Sequence, residues 1–78
     1  MAVTKNQIIA DIKLELRIMR ENLEDAGNRQ NKTFMGRYLE AYLTVLRIAK
    51  GIEIIDLETY SRECKWAIKM GVYGREVE

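Results

Sequence analysis

The sequence predicts an all-α fold: a long antiparallel helical hairpin, about residues 4–26 and 33–50, with a shorter third helix, about 57–70, packed across it and the whole completed by oligomerisation. Three observations carry this. Apolar residues recur at helical spacing in each of the three segments, no proline interrupts any of them, and Gly27, Gly51 and Gly71 fall where the periodic runs stop. Residues 1–78 read as a single helical domain without an internal repeat, linker or low-complexity segment.

The first helix is expected to start at Thr4, whose hydroxyl can cap the amide three residues on while Gln7 reaches back. Ile9, Ile12, Leu16, Met19, Leu23 and Ala26 then recur at alternating spacings of three and four, one narrow seam at about 100° per residue. Leu14 and Ile18 point away from that seam. Gly27 suits a left-handed cap, and the polar run that follows is short enough to make the next helix antiparallel.

Asn31 or Thr33 can cap the second helix, which should stop at Gly51. Its wheel carries two adjacent apolar seams. Phe34, Tyr38, Ala41, Val45 and Ile48 form one, and Met35, Leu39, Tyr42, Leu46 and Ala49 the other. The first is expected to meet the first helix, and the second to be covered incompletely by the short third helix.

The link GIEIID is apolar enough to lie against the core, with Asp56 as N-cap and Ile55 and Tyr60 placed as a hydrophobic staple. The third helix offers Leu57, Tyr60, Cys64, Ala67 and Ile68 as its inward face, leaving Trp66 and Met70 to one side. The tail VYGREVE is polar and short enough to fray. Leu14, Ile18, Trp66 and Met70, with the uncovered seam, amount to surplus apolar surface for 78 residues. A homo-oligomer, a two-fold dimer above all, is the economical way to bury it, with a second protein as the other candidate.

Composition bounds the chemistry. With no histidine, the usual general base and commonest metal ligand are missing. Cys64 is the only cysteine, so neither an internal disulfide nor a thiol zinc cluster can staple the fold. It reads as a packing residue. No catalytic residue, metal site or cofactor is expected, and the protein reads as a non-enzyme.

Thirteen basic and twelve acidic residues give a net charge of +1, without a global pull toward nucleic acid or anionic membrane. No apolar run approaches the roughly 20 residues that span a bilayer, and MAVTKNQIIADIK is too charged for the apolar stretch of a signal peptide. A cytoplasmic protein without a membrane partner is expected, the free thiol suiting a reducing compartment.

Two further charge patterns stand out in the sequence. Glu21, Glu24 and Asp25 with Glu53 and Asp56 give ExxE followed by ExxD. This resembles the magnesium-binding signature of all-α nucleotide pyrophosphatases of the MazG type, which implies acids on facing helices holding a metal on a triphosphate. Here ExxD falls at a helix break, and an antiparallel hairpin sets Glu21 and Glu24 far from Glu53, so solvated acids are the better reading. Arg62, Lys65 and Lys69 share one face of the third helix, the pattern of a helix-turn-helix-like nucleic-acid reader. Glu58 shares that face and can pair with Arg62, and cations near a helix C-terminus also complement its dipole.

The sequence therefore reads first as a small helical interaction module, an adaptor, inhibitor or regulator acting through an apolar helix face. A nucleic-acid-binding regulator using the third helix stands second. The size suits a phage or mobile-element accessory protein.

Overall fold

Each helix begins on a side chain that accepts from its own first turn, which satisfies one of the amides a helix start leaves without an internal partner. Thr4 Oγ1 accepts from Gln7 N–H at 3.1 Å, Asn31 Oδ1 from Phe34 at 3.3 Å, and Asp56 Oδ1 from Thr59 at 2.7 Å. The computed structural model describes residues 4–75 and resolves these starts into α1 (Lys5–Asn28), α2 (Lys32–Gly51) and α3 (Leu57–Val72), with no strand among the described residues. The all-α hairpin with a third, shorter helix is thus the observed architecture.

α2 stops at Gly51 as expected and α1 and α3 run two residues past their expected ends, but the left-handed residues are not the expected ones. Gly27 lies inside α1, and the left-handed position belongs to Gln30, at φ 54°. Gln30 N–H bonds the Gly27 carbonyl at 3.2 Å and Asn31 N–H the Ala26 carbonyl at 3.0 Å, the paired bonds of a Schellman end. The end of α2 repeats this with Glu53 at φ 62°, its N–H on Lys50 and that of Ile54 on Ala49. Gly71 likewise lies within α3, which runs on to Val72 and closes at Gly74, φ 71°.

Two of the glycines read as punctuation serve close packing instead. A Cβ on Gly71 would stand 2.6 Å from Leu39 Cβ, and one on Gly27 would stand 2.2 Å from Met70 Sδ and 3.1 Å from the Met70 carbonyl oxygen. These two glycines let α3 close onto α2 and α1. The Gly27 carbonyl also accepts from Arg75 N–H at 3.0 Å, and Gln30 Nε2 donates to the Arg75 carbonyl at 2.7 Å. The chain through residue 75 is therefore tied across the α1–α2 turn and does not fray; residues 76–78 lie outside the described residues.

Alanine substitutions separate the two roles of glycine. Gly36→Ala places its Cβ in open space within α2 and should stabilise the fold by about 0.5–1 kcal/mol through helix propensity. Gly71→Ala has the same propensity gain, yet it should destabilise by about 1 kcal/mol or more, because Leu39 Cβ cannot rotate out of the way. Thermal unfolding of both variants checks the pair, and a rise for both would show that α2 and α3 are less close than described.

The chain folds with α2 in the middle, packing extensively on both α1 and α3, which touch each other less. Lys50 Nζ stands over the Tyr60 ring at 4.5 Å and Gly71 lies on Leu39, so α3 runs antiparallel to α2. Leu23, Tyr42, Leu46 and Ala67 form the buried core, with Leu16, Met19, Ile55 and Tyr60 half-buried around it. The molecule is elongated, 48 × 27 × 15 Å with a radius of gyration of 13.5 Å. A compact chain of this length would have roughly 11.5 Å.

The seams of α2 exchange the roles expected of them. Met35, Tyr42, Leu46 and Ala49 are fully buried, whereas Phe34 and Ile48 of the other seam stay exposed. The bias comes from α2 sitting in the notch between α1 and α3, so the arc facing both helices is the one that disappears. On α3, Tyr60, Cys64 and Ala67 face inward as expected, but Leu57 is 69% exposed and Ile68 is exposed, while Trp66 and Met70 pack half-buried against the core.

Candidate functional site

A polar clasp joins the three helices at mid-height. Glu63 Oε1 on α3 accepts from Arg20 Nε on α1 and from the Tyr42 hydroxyl on α2, both at 2.7 Å. The Arg20 guanidinium lies 4.0 Å over the Trp66 ring, and Trp66 meets Tyr42 edge to face at 6.0 Å between ring centroids. Arg20 also reaches Glu24 at 3.6 Å, one helical turn away.

Each member of the clasp is held in one protonation state. Burial pushes the Glu63 carboxyl up, but the hydrogen bonds from Arg20 and Tyr42 and the Arg20 charge outweigh it and leave the carboxyl below its ordinary value. Burial, then the bond to Glu63, raise the Tyr42 phenol well above its usual value. The bond to Glu63 similarly raises Arg20. A carboxylate saturated on one oxygen by an arginine and a phenol is a structural pivot.

Exposed apolar residues are spread over all three helices, and of these Phe34, Ile48 and Ile52 lie on the back of the hairpin. Phe34, Tyr38, Ala41, Val45, Ile48 and Ile52 recur at alternating spacings of four and three along the whole of α2 and its cap. At about 100° per residue this stripe lies some 150° round the helix from Leu39, Leu43 and Lys50, the arc that faces α3. Phe34 is 43% exposed, and Ile48 and Ile52 are each 47% exposed. The Phe34 and Tyr38 rings stack at 5.9 Å, which stiffens one end of the stripe. At the other end Ile52 joins Ile8, Ile9 and Lys5 of α1 in a groove of about 330 Å³.

α3 is too short to lie along the first turns of α1. Its 16 residues span roughly 24 Å, against roughly 36 Å for the 24 residues of α1. Its far end is committed to Gly27 and Gln30 at the α1–α2 turn. The first two turns of α1 project beyond α3, while the last turn of α2 stays alongside it, Lys50 over the Tyr60 ring.

The four residues expected to form a partner surface do not come together. Leu14 and Ile18 are exposed on the outer face of α1, but Trp66 lies under Arg20 and Met70 against Gly27. Arg62, Lys65 and Lys69 are exposed on the outside of α3. Arg62 and Lys65 share an open groove with Glu58, Ser61 and the exposed Leu57, so the acid dilutes the basic stripe as the spacing implied. Cys64 is half-buried at the foot of a cleft of about 520 Å³ between α2 and α3, with Glu40 and Arg47 on its rim. Among the described residues no group of three or more Cys, Asp or Glu side chains stands close enough to hold a metal ion, so the two acidic pairs do not converge. None of the described helices is long and apolar enough to cross a membrane.

What the fold and this surface define is a three-helix protein whose central helix leaves Phe34, Ile48 and Ile52 exposed along an apolar stripe that is half-buried at Tyr38, Ala41 and Val45. Compared with family models, curated proteins and solved structures, the chain matches none.

Proposed function

We propose that the protein is a small non-enzymatic interaction module, an adaptor, inhibitor or regulator, and that its working surface is the apolar back of the hairpin. One observation carries the reading. A stripe of six apolar residues runs the length of the central helix, and Phe34, Ile48 and Ile52 on it remain more than two-fifths exposed. Scattered apolar residues are ordinary on a protein surface, but a continuous stripe at helix-packing spacing is the form in which one helix receives another. The clasp beneath it holds α2 rigid, so the surface is presented already ordered and costs little to bind.

Capture experiments test this with the exposed stripe residues changed. Tagged protein, with an untagged copy and host extract as prey, should retain partners that the doubly substituted Phe34→Glu, Ile48→Lys chain loses. Leu14→Lys, equally exposed on the outer face of α1, should retain them. Equal capture by all three chains overturns the reading.

A further inference from the structure

We infer that the protein also holds the phosphate backbone of a nucleic-acid duplex, along a band of cations that crosses from α1 to α3 on a face separate from the apolar stripe. The net charge is only +1, so what matters is where the charges lie. On α1, Lys13 and Arg17 fall within about 60° of Arg20, the side chain that reaches α3, while Asp11, Glu15, Glu21 and Asp25 fall about 100° or more from it. On α3, Arg62, Lys65 and Lys69 occupy an arc of about 60° beside Trp66, on the side turned away from Gly71 and hence from α2. All five cations are exposed, and none is ion-paired among the described residues. Several acids nearby are engaged: Glu24 and Glu63 hold Arg20, and Asp56 caps α3. Glu21 and Glu58 stand at the edges of the band.

Packing joins the two rows into one track. Glu63 takes Arg20 and Met70 lies on Gly27, each pair 43 positions apart, so α1 and α3 run parallel in a single register. In that register Lys13 and Arg17 lie level with Asp56 and Tyr60, and the five cations follow one another over roughly 20 Å. A duplex presents about one phosphate per 3.4 Å along each strand, so such a track faces about six. Affinity then comes from counterions released by those phosphates and needs no apolar centre. A protein partner would call for one, with charge depleted from it. The band has none, because Arg20 covers the Trp66 ring at 4.0 Å. The same cover removes the ring on which an unpaired base would stack, which favours a duplex over a single strand.

Fluorescence anisotropy of a labelled random-sequence DNA duplex of about 20 base pairs, titrated with the full chain, tests the inference. Binding is expected in the micromolar range at about 50 mM salt and should weaken by about 100-fold or more at about 200 mM, as four to five neutralised phosphates require. Arg17→Glu, Lys69→Glu should lose about tenfold or more in affinity and lower the salt slope by about 2, with the helical circular dichroism retained. Arg17→Gln, Lys69→Gln should show a smaller loss of the same kind. Arg37→Glu, Arg47→Glu reverses two exposed cations of α2 outside the band, for the same net charge, and should bind as the native chain does. The stripe variant Phe34→Glu, Ile48→Lys should also bind, so this inference and the interaction reading fail independently. No binding at about 50 mM salt, or equal loss in both charge-reversed chains, overturns the inference. Displacement of the duplex by poly-glutamate at equal charge also overturns it and assigns the band to an acidic protein.

Discussion

Tyr42→Ala is expected to lower the thermal midpoint by about 15–30 °C, or to abolish the cooperative transition altogether. Tyr42 is the largest fully buried side chain, 2% exposed, on the helix that packs extensively on both others. Removing a buried aromatic ring costs about 3–5 kcal/mol through lost transfer free energy and the cavity left behind. Each kcal/mol moves the midpoint of a domain this small by about 4–8 °C. For 78 residues the whole stability is on the order of 4–12 kcal/mol, so one such loss is comparable with the total. Tyr42→Phe keeps the ring and its edge contact with Trp66 but removes the hydroxyl, and should cost about 1 kcal/mol. Far-UV circular dichroism melts at one fixed protein concentration compare the two. If phenylalanine costs as much as alanine, the hydrogen bond to Glu63 and not the ring holds the core.

Features that depend on neighbours in sequence were legible without the structure. Thr4, Asn31 and Asp56 cap by bonding amides three residues away, and the seam of α1 is a local repeat. What could not be read is what another helix decides. Gly27 and Gly71 resemble helix stops because glycine suits both a left-handed turn and a close approach, and only Met70 and Leu39 decide between them. With Gly27 and Gly71 taken for packing, the left-handed turn after α1 falls to Gln30, a residue that rarely adopts it, and the one after α3 to Gly74.

The same limit misplaced part of the inward arc of α3. Leu57 and Ile68 looked inward because they are apolar, yet the inward arc of α3 is centred on Glu63 and Ala67, with Trp66 and Met70 on one side and Tyr60 and Cys64 on the other. A signal was present: Glu63 is a charge at the angular centre of an apolar arc, and Arg20 sits beside the seam residues Met19 and Leu23. Those two are 43 positions apart, so pairing them required knowing that α3 runs parallel to α1. Taking Glu63 as inward would have turned Trp66 to the core.

Glu63→Ala should cost about 2–3 kcal/mol, and its pH dependence identifies the cause. The substitution leaves the buried Tyr42 hydroxyl without its acceptor, a loss of about 1–3 kcal/mol. It also releases Arg20, but that side chain is 40% exposed and can turn to water, so the ion pair adds well under the amount a fully buried pair would. Glu63→Gln retains an acceptor for Tyr42 and should cost about 1 kcal/mol, the difference being the charge. Because the folded state holds the Glu63 carboxyl below its ordinary value, this charge contribution is fully present above the unfolded value and is lost as pH falls through the folded one. The gap in midpoint between the native chain and Glu63→Gln should therefore be widest near neutrality and close in acid. Trp66, the only tryptophan, reports the same event, since protonation of Glu63 frees the guanidinium stacked on its ring and shifts its emission. A gap that persists unchanged in acid would mean that the carboxylate charge does not hold the three helices together, leaving shape and the Tyr42 ring as the whole of the clasp.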